Sequence, residues 1–198
     1  LDRPQFEIYK IIQEKDYDGV PKIKELFYSP ENDKYILYEE CIQGYTIESM
    51  LSKGTCFGKK FVIKMATALC NILKPIHNDN LIHRDISPNN VMYSQIEDKF
   101  YLIDFGNSRL NKINTPKDTV FAGTPIFMAP EQGGVGTQSD NRTDIYAIGM
   151  LMKFMLTKNT TDKKSKIRGR LGKIIKKCTQ SEIAVSYTHL RAHETDQY

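Results

Sequence analysis

The stretch HRDISPNN, at residues 83–90, decides the fold of this chain. It follows a segment, 58–78, whose apolar residues recur on one helical face, and it precedes a short β-type run, VMYS, at 91–94. A helix, a charged polar loop and a strand are therefore expected in that order.

Two further motifs follow along the chain. KFYLID at 99–104 predicts a strand that pairs with VMYS, and it runs into the sequence Asp104-Phe105-Gly106. GTPIFMAPE occupies 123–131 and precedes TDIYAIGMLMKFMLT at 143–157. The latter segment is apolar on nearly every face, which predicts a helix buried in a core. It is shorter than the roughly 20 apolar residues that a membrane span requires.

The remaining elements are predicted from periodicity and turn signals. A helix is expected at 5–14, followed by two strands at 23–29 and 34–40 that a proline-containing turn joins into a hairpin. Residues 107–122 are polar without periodicity and predict a loop, and 171–178 predict a last short helix.

The order HRDxxxxN, DFG, APE resembles the protein kinase family, and the GTPxxxMAPE form resembles its Ser/Thr members. The resemblance covers roughly residues 5–180 and implies an α+β fold of two lobes. On this reading 1–40 are part of the small lobe, and 41–183 are the large, mostly helical lobe. Residues 184–198 resemble translated sequencing-adapter sequence and are expected to be a non-native tail. The HRDISP form suggests a bacterial origin.

The resemblance implies transfer of the γ-phosphate of ATP to a Ser or Thr hydroxyl of a protein substrate. Asp85 would accept or orient the hydroxyl proton, because a carboxylate is an acceptor at neutral pH. Asn90 and Asp104 would hold Mg²⁺, which prefers hard oxygen donors. Arg84 would bind a phosphate or acidic group on the loop that follows, since Arg pairs well with oxyanions. Thr124 would help to shape the substrate groove.

The nucleotide site is expected along YILYEEC at 35–41. By resemblance, the carbonyl of Glu39 and the amide of Cys41 would contact adenine, and Tyr38 would be the gatekeeper residue. Glu7 would pair with the ATP-binding lysine, although an exposed helix glutamate is an alternative role for it.

Three supporting features are also implied by the resemblance. Asp144 would accept hydrogen bonds from the backbone around His83 and Arg84, while a helix N-cap is its alternative role. Thr115 and Thr119 are candidate phosphorylation sites.

The sequence departs from the family pattern at four places. No GxGxxG loop and no VAIK lysine precede the first helix, so a truncated fragment that is inactive alone is expected. Ser87 stands where the family usually has a lysine. A P-x-x-R element is absent after 178, which would leave Glu131 without its arginine partner.

Composition excludes several other classes of protein. The 198 residues carry a net charge of +4 without a clustered basic stripe, so nucleic-acid binding is not indicated. The four cysteines include no CxxC pair, which favours free thiols in a reducing cytoplasm. His189 and His193 are four residues apart, but no further ligand context supports a metal site.

Two alternative functions remain open at this point. A pseudokinase or kinase-like binding scaffold would retain the fold without the activity. This would follow if the ATP-binding lysine of the family, which is not seen in this sequence, is replaced by another residue. A small-molecule phosphotransferase would share the loop aspartate, the asparagine and the later metal aspartate. That class usually has glycine in place of Arg84 and lacks the segment Ala129-Pro130-Glu131, so these residues favour the protein kinase interpretation.

Overall fold

The computed structural model describes residues 1–111, 123–133, 139–158 and 167–180. The described helices are α1 (Arg3–Lys15), α2 (Ile47–Ser52), α3 (Lys59–Asn78), α4 (Asn141–Thr157) and α5 (Arg170–Cys178), with a 3₁₀ turn at Pro130–Gly133. The described strands are β1 (Ile23–Ser29), β2 (Lys34–Glu39), β3 (Tyr45–Thr46), β4 (Leu81–Ile82), β5 (Val91–Ser94), β6 (Lys99–Leu102) and β7 (Arg109–Leu110).

Helix α1 begins at a capping box. The Asp2 side chain accepts from the Gln5 N–H at 2.8 Å, and the Gln5 side chain accepts from the Asp2 N–H at 3.0 Å. The helix buries Ile8, Tyr9 and Ile12. It packs against the antiparallel hairpin β1–β2, so this part of the chain is a helix laid on a two-stranded sheet.

Helix α3 forms the centre of the larger core. Nine of its 20 residues are buried, at the spacing of one helical face. It packs against α4, which is also largely buried, and against β6. Helix α5 packs closely against α4. A Cβ placed on Gly149 of α4 would come within 2.7 Å of the Cβ of Cys178 in α5.

The hairpin β5–β6 sets the position of the site. Val91 pairs with Leu102 and Ser94 with Lys99, in antiparallel register. The residue before β5 therefore lies beside the residues after β6, and Ile103 N–H donates to the Asn90 carbonyl at 2.9 Å. Strand β3 extends the sheet on the other side of β5.

Most predicted elements agree with the structure within two residues. The expectation of an unbroken loop over 107–122 is wrong at its start, because Arg109–Leu110 forms β7 and pairs with β4. Residues 112–122 lie outside the described part of the chain, and so do the candidate sites Thr115 and Thr119, the pair His189 and His193, and the tail 184–198. Within the described ranges, no helix combines the length and apolarity needed to cross a bilayer.

Candidate active site

The loop that carries HRDISPNN is anchored by hydrogen bonds to Asp144, which lies in the first turn of α4. Its carboxylate accepts from His83 N–H at 3.0 Å, from Arg84 N–H at 2.8 Å and from His77 Nε2 at 2.7 Å. Burial alone would raise the pKa of Asp144, but the hydrogen bond and charge of His77 and the contacts with His83 lower it below its usual value. The predicted role of Asp144 toward this backbone is confirmed.

The carboxylate of Asp85 is the meeting point of three segments. Its Oδ1 accepts from Thr124 N–H and from Thr124 Oγ1, both at 2.8 Å. Its Oδ2 accepts from the side-chain amides of Asn90 and Asn107, both at 3.1 Å. The structure therefore brings together the catalytic loop, the residue after DFG and the start of GTPIFMAPE around one acidic group.

Asn90 and Asp104 lie at the same end of the β5–β6 hairpin. Asn90 is buried, and its Nδ2 donates to both the carbonyl and the Oδ2 of Asp85. This leaves Asn90 Oδ1 as the acceptor atom of the side chain. Asp104 is exposed and its Oδ1 accepts from Gly106 N–H at 3.0 Å. An amide oxygen and a carboxylate at one edge suit a hard divalent cation.

Two residues of this region have left-handed backbone conformations. Arg84 has φ 69° and Asp104 has φ 60°. A non-glycine residue in this region costs on the order of 1–3 kcal/mol, and such residues concentrate at active sites. The hydrogen bonds to Asp144 and the hairpin contacts offset that cost, because they hold the backbone on each side.

His83 and Phe105 connect the catalytic loop to the DFG segment. Their rings meet edge to face with centroids 4.7 Å apart, and both are almost fully buried. His83 Nε2 lies 3.2 Å from the Ile103 carbonyl, and its Nδ1 lies 3.3 Å from Asp85 N–H. Burial lowers the pKa of His83, although the charges of Asp144, Asp85 and Asp104 oppose the shift.

Gly123 lies directly against the catalytic loop. Its φ is 121°, and a Cβ at this position would approach the Arg84 carbonyl to 2.7 Å. The same carbonyl accepts from Gln132 Nε2 at 2.7 Å. Only glycine allows this close approach, which places Thr124 next to Asp85.

Helix α1 also reaches the DFG segment. Tyr9 Oη accepts from Phe105 N–H at 3.0 Å, and Gln5 Nε2 donates to the Gly106 carbonyl at 3.2 Å. Burial, and then the charge of Asp104, raise the pKa of Tyr9. Neither residue could be identified from the sequence, because contacts made across more than 90 positions leave no local pattern.

Comparison with known proteins identifies the family. A family model described as the protein kinase domain matches residues 6–196. The chain belongs to the protein kinase family.

The relatives of this kinase domain include cyanobacterial enzymes. It is 26% identical over 170 residues to serine/threonine-protein kinase PknA from a Nostoc species, and 31% identical over 154 residues to serine/threonine-protein kinase B from a Synechocystis species. The matches cover 76% and 73% of this chain but only 29% and 26% of those proteins. The chain therefore spans less than a third of these relatives, and the predicted bacterial character agrees with their origin.

A solved structure shows the same fold. The Cydia pomonella granulovirus kinase PK-1 matches with a TM-score of 0.64, over 80% of this chain and 56% of that chain. At 17% identity, the likeness is evidence of fold alone. The expected α+β, two-lobe kinase fold is confirmed.

The predicted adenine contacts of the kinase domain lie at the end of β2. Glu39 is the last residue of β2. The next residue, Glu40, donates its N–H to the Lys22 carbonyl at 2.8 Å, and the thiol of Cys41 is exposed. The Glu39 side chain is exposed, and partial burial and then the negative charge of Asp104 raise its pKa. Tyr38, at 55% exposure, stacks on Phe27 at a centroid distance of 6.3 Å.

Other predicted residues of the kinase domain have mixed surroundings. Glu7 is exposed on α1 and makes no ion pair with a described residue.

Arg84 is half-buried, and burial lowers its pKa. Arg109 lies on β7, and burial and then the charge of Arg84 lower its pKa. The expectation that Glu131 would be left without a partner is wrong, because it accepts from Thr143 Oγ1 at 2.9 Å.

The metal ligand set is small in the described part of the kinase domain. No group of three or more His, Cys, Asp or Glu residues converges there in a way that could hold an ion. The pair Asn90 and Asp104 nevertheless fits Mg²⁺, which keeps several waters and uses one or two protein ligands together with substrate phosphates.

Proposed function

We propose that this kinase domain, as part of its complete protein, transfers the γ-phosphoryl group of ATP to Ser or Thr hydroxyls of protein substrates. The observation that carries the proposal is the convergence of Asn90, Asn107 and Thr124 on the Asp85 carboxylate. Phosphoryl transfer depends mainly on positioning and charge stabilisation, and this arrangement positions an acceptor carboxylate beside two oxygen ligands for a metal.

Asp85 would accept or orient the proton of the substrate hydroxyl. Hydrogen bonds from Thr124 to one oxygen and from two amides to the other fix the plane of the carboxylate. A fixed carboxylate meets the first requirement of a general base, which is geometry within hydrogen-bond reach of the proton. Asp144 would support this role indirectly by holding the backbone of His83 and Arg84.

Asn90 Oδ1 and the Asp104 carboxylate would hold Mg²⁺ on the triphosphate of ATP. The bound ion would neutralise charge that develops on the phosphate oxygens during transfer. The backbone of Glu39 and Cys41 would bind adenine, and Glu7 would pair with a lysine contributed by another part of the protein. Arg84 would bind an oxyanion on the segment that follows β7.

The partners in this proposal are ATP, Mg²⁺ and a protein with a Ser or Thr acceptor. We place the reaction in the cytoplasm, where the substrate ATP is available. The four cysteines support this location, because all are free thiols and a reducing compartment keeps them so. A pseudokinase function has less support, because the acidic and amide residues of all three motifs are present.

The substitution Asp85→Asn tests the proposal in the complete reading frame that encodes this chain. It keeps the shape of the side chain but removes the acceptor charge. We expect kcat for a Ser/Thr peptide to fall by at least ~10², while the Kd for Mg²⁺-ATP changes little. Steady-state kinetics and nucleotide titration measure the two quantities.

A matched control is Asp18→Asn. The Asp18 side chain is 91% exposed and pairs with Lys99, away from the catalytic loop. We expect this control to retain the wild-type kcat. A wild-type protein without Mg²⁺-dependent phosphoryl transfer, or an Asp85→Asn variant with full kcat, contradicts the proposed function.

A further inference from the structure

Asn107, the residue directly after Asp104-Phe105-Gly106, contacts the carboxylate at the centre of the site. Its Nδ2 lies 3.1 Å from Asp85 Oδ2, the same distance as that of Asn90 Nδ2 from this atom. We infer that Asn107 is a positioning residue, which holds the Asp85 carboxylate in the orientation that receives the substrate hydroxyl. This inference rests on the proposed role of Asp85.

The hydrogen bonds on Asp85 come from two directions. Thr124 donates twice to Oδ1, while Asn90 and Asn107 each donate once to Oδ2. Rotation of the carboxylate about its Cβ–Cγ bond would break bonds on both oxygens at once. Reacting groups must lie within a narrow range of distance and angle, and a misplacement of about 1 Å can cost 10²-fold in rate. A donor that fixes this rotation therefore acts on the chemical step.

Asn107 has a distinct place among these donors. Asn90 Nδ2 also bonds to the Asp85 carbonyl, so its position depends on the catalytic loop itself. Thr124 belongs to the GTPIFMAPE segment at 123–131. Asn107 is the donor that comes from the DFG segment, so it links the orientation of Asp85 to the segment that carries the metal ligand Asp104.

The link between the two segments is made twice. The Asn107 amide bonds to Asp85, and the Oγ of its neighbour Ser108 donates to the His83 carbonyl at 3.3 Å. Ser108 N–H also closes a turn with the Phe105 carbonyl at 3.0 Å. A movement of the DFG segment would therefore withdraw a donor from Asp85 together with the metal ligand.

A neutral residue occupies the position two residues after Asp85. Ser87 stands where the resemblance leads one to expect a lysine, and its buried hydroxyl has no hydrogen-bond partner among the described residues. The hydrogen-bonding side chains around the Asp85 carboxylate, Asn90, Asn107 and Thr124, are all neutral. With no cation in that place, the orientation of Asp85 depends on neutral donors, of which Asn107 is one.

A series of substitutions at Asn107 tests the inference in the complete protein. Asn107→Asp has the same shape as the natural residue but replaces the donor with a second carboxylate facing Asp85. Asn107→Ala removes the donor, and Asn107→Ser keeps a hydroxyl that can donate. We expect kcat for a Ser/Thr peptide to fall about 10-fold for Ala, by 10² or more for Asp, and less for Ser than for Ala. The KM for ATP is expected to stay within about twofold.

Matched controls at Asn32 remove the effect of the Asn→Asp and Asn→Ala changes as such. Asn32 is exposed in the turn between β1 and β2, and its Nδ2 donates to Ser29 Oγ at 3.1 Å. We expect Asn32→Asp and Asn32→Ala to retain the wild-type kcat. Thermal unfolding of every variant shows whether a loss of rate reflects a loss of folding.

The order of the variants separates a positioning role from a structural one. If Asn107 only fills space, Asn107→Asp retains activity while Asn107→Ala loses it, and the inference is overturned. A rise in kcat for Asn107→Ala also overturns it, because the amide would then block the carboxylate. If the wild-type protein transfers no phosphoryl group, the proposed function fails and the inference fails with it. An active wild type with equally active Asn107 and Asn32 variants refutes the inference alone.

Discussion

At the scale of single residues, His83 shows how the site depends on one protonation state. The ring is fully buried, its Nδ1 lies where Asp85 N–H donates, and its Nε2 lies where the Ile103 carbonyl accepts. These contacts fit a neutral ring with the proton on Nε2. A second proton on Nδ1 would set two donors against each other, which adds to the cost of burying a charge.

We expect this histidine to make the domain less stable in mild acid. Because the pKa of His83 is lowered by folding, the unfolded chain takes up its proton first as pH falls through about 6.5. The unfolded state then binds more protons, so the free energy of unfolding decreases as pH falls from 7.5 to 5.5. Urea denaturation across this range measures the effect.

The variant His83→Phe provides the comparison for that experiment. It keeps an aromatic ring against Phe105 but has no titrating group. We expect its free energy of unfolding to depend less on pH over the same range than that of the wild type. An identical pH dependence in the two proteins would mean that His83 does not contribute.

At the scale of elements, the sequence predicted the long periodic segments and missed the short ones. Helices α3 and α4 have clear apolar faces, and the hairpin β5–β6 has β-type runs around a polar turn. Strands β3, β4 and β7 have two residues each, which is too short for any period. They form because tertiary contacts supply their partners.

The candidate site likewise contains residues that the motifs indicate and residues that only the folded chain reveals. The order of the motifs was enough to indicate Asp85, Asn90 and Asp104, because the family resemblance assigns a role to each of these positions. Asn107 and His77 lie outside the motifs, and their contacts depend on how distant segments pack. The sequence contains no distance between Asn107 and Asp85, so this part of the site could be found only from the folded chain.

The start of α4 offers a direct test of how an element supports the catalytic loop. Asp140 caps the helix, whereas Asp144 accepts from three donors of the loop and of α3. Asp140→Ala removes a cap, which costs about 1 kcal/mol. Asp144→Ala leaves buried donors without an acceptor, at about 1–3 kcal/mol each, so we expect a total loss of at least about 3 kcal/mol.

Chemical denaturation of the two variants compares these losses in the free energy of unfolding. Both substitutions remove an acidic side chain from the same end of one helix, so the difference isolates the contacts with the loop. Equal destabilisation would mean that Asp144 acts only as a residue of the helix terminus.

At the scale of the whole molecule, the two parts of the domain differ in how complete their sheets and cores are. The large part has a core of helices α3, α4 and α5, together with the hairpin β5–β6. Beside α1, the described small part has only the two strands β1 and β2, and the amino group of Leu1 donates to the Tyr35 carbonyl on β2. An isolated two-stranded hairpin is marginally stable in water.

We therefore expect the 198-residue chain on its own to turn over ATP at least ~10² more slowly than the complete reading frame. Loss of one preorganised charge contact typically costs 10²–10³ in rate, and no lysine among the described residues forms an ion pair with Asp104. A Mg²⁺-dependent assay with a Ser/Thr peptide compares the two proteins. Equal turnover would show that the 198 residues already contain every group that the reaction requires.

The hairpin β5–β6 also has a consequence for the release of nucleotide and metal in the proposed reaction. Asn90 and Asp104 flank its two strands, so their backbone separation is set by ladder hydrogen bonds and not by the ion. In the proposed reaction, substrate release would then leave the backbone spacing of Asn90 and Asp104 unchanged. Each new catalytic cycle would begin from a preformed cradle, without a refolding step between one turnover and the next.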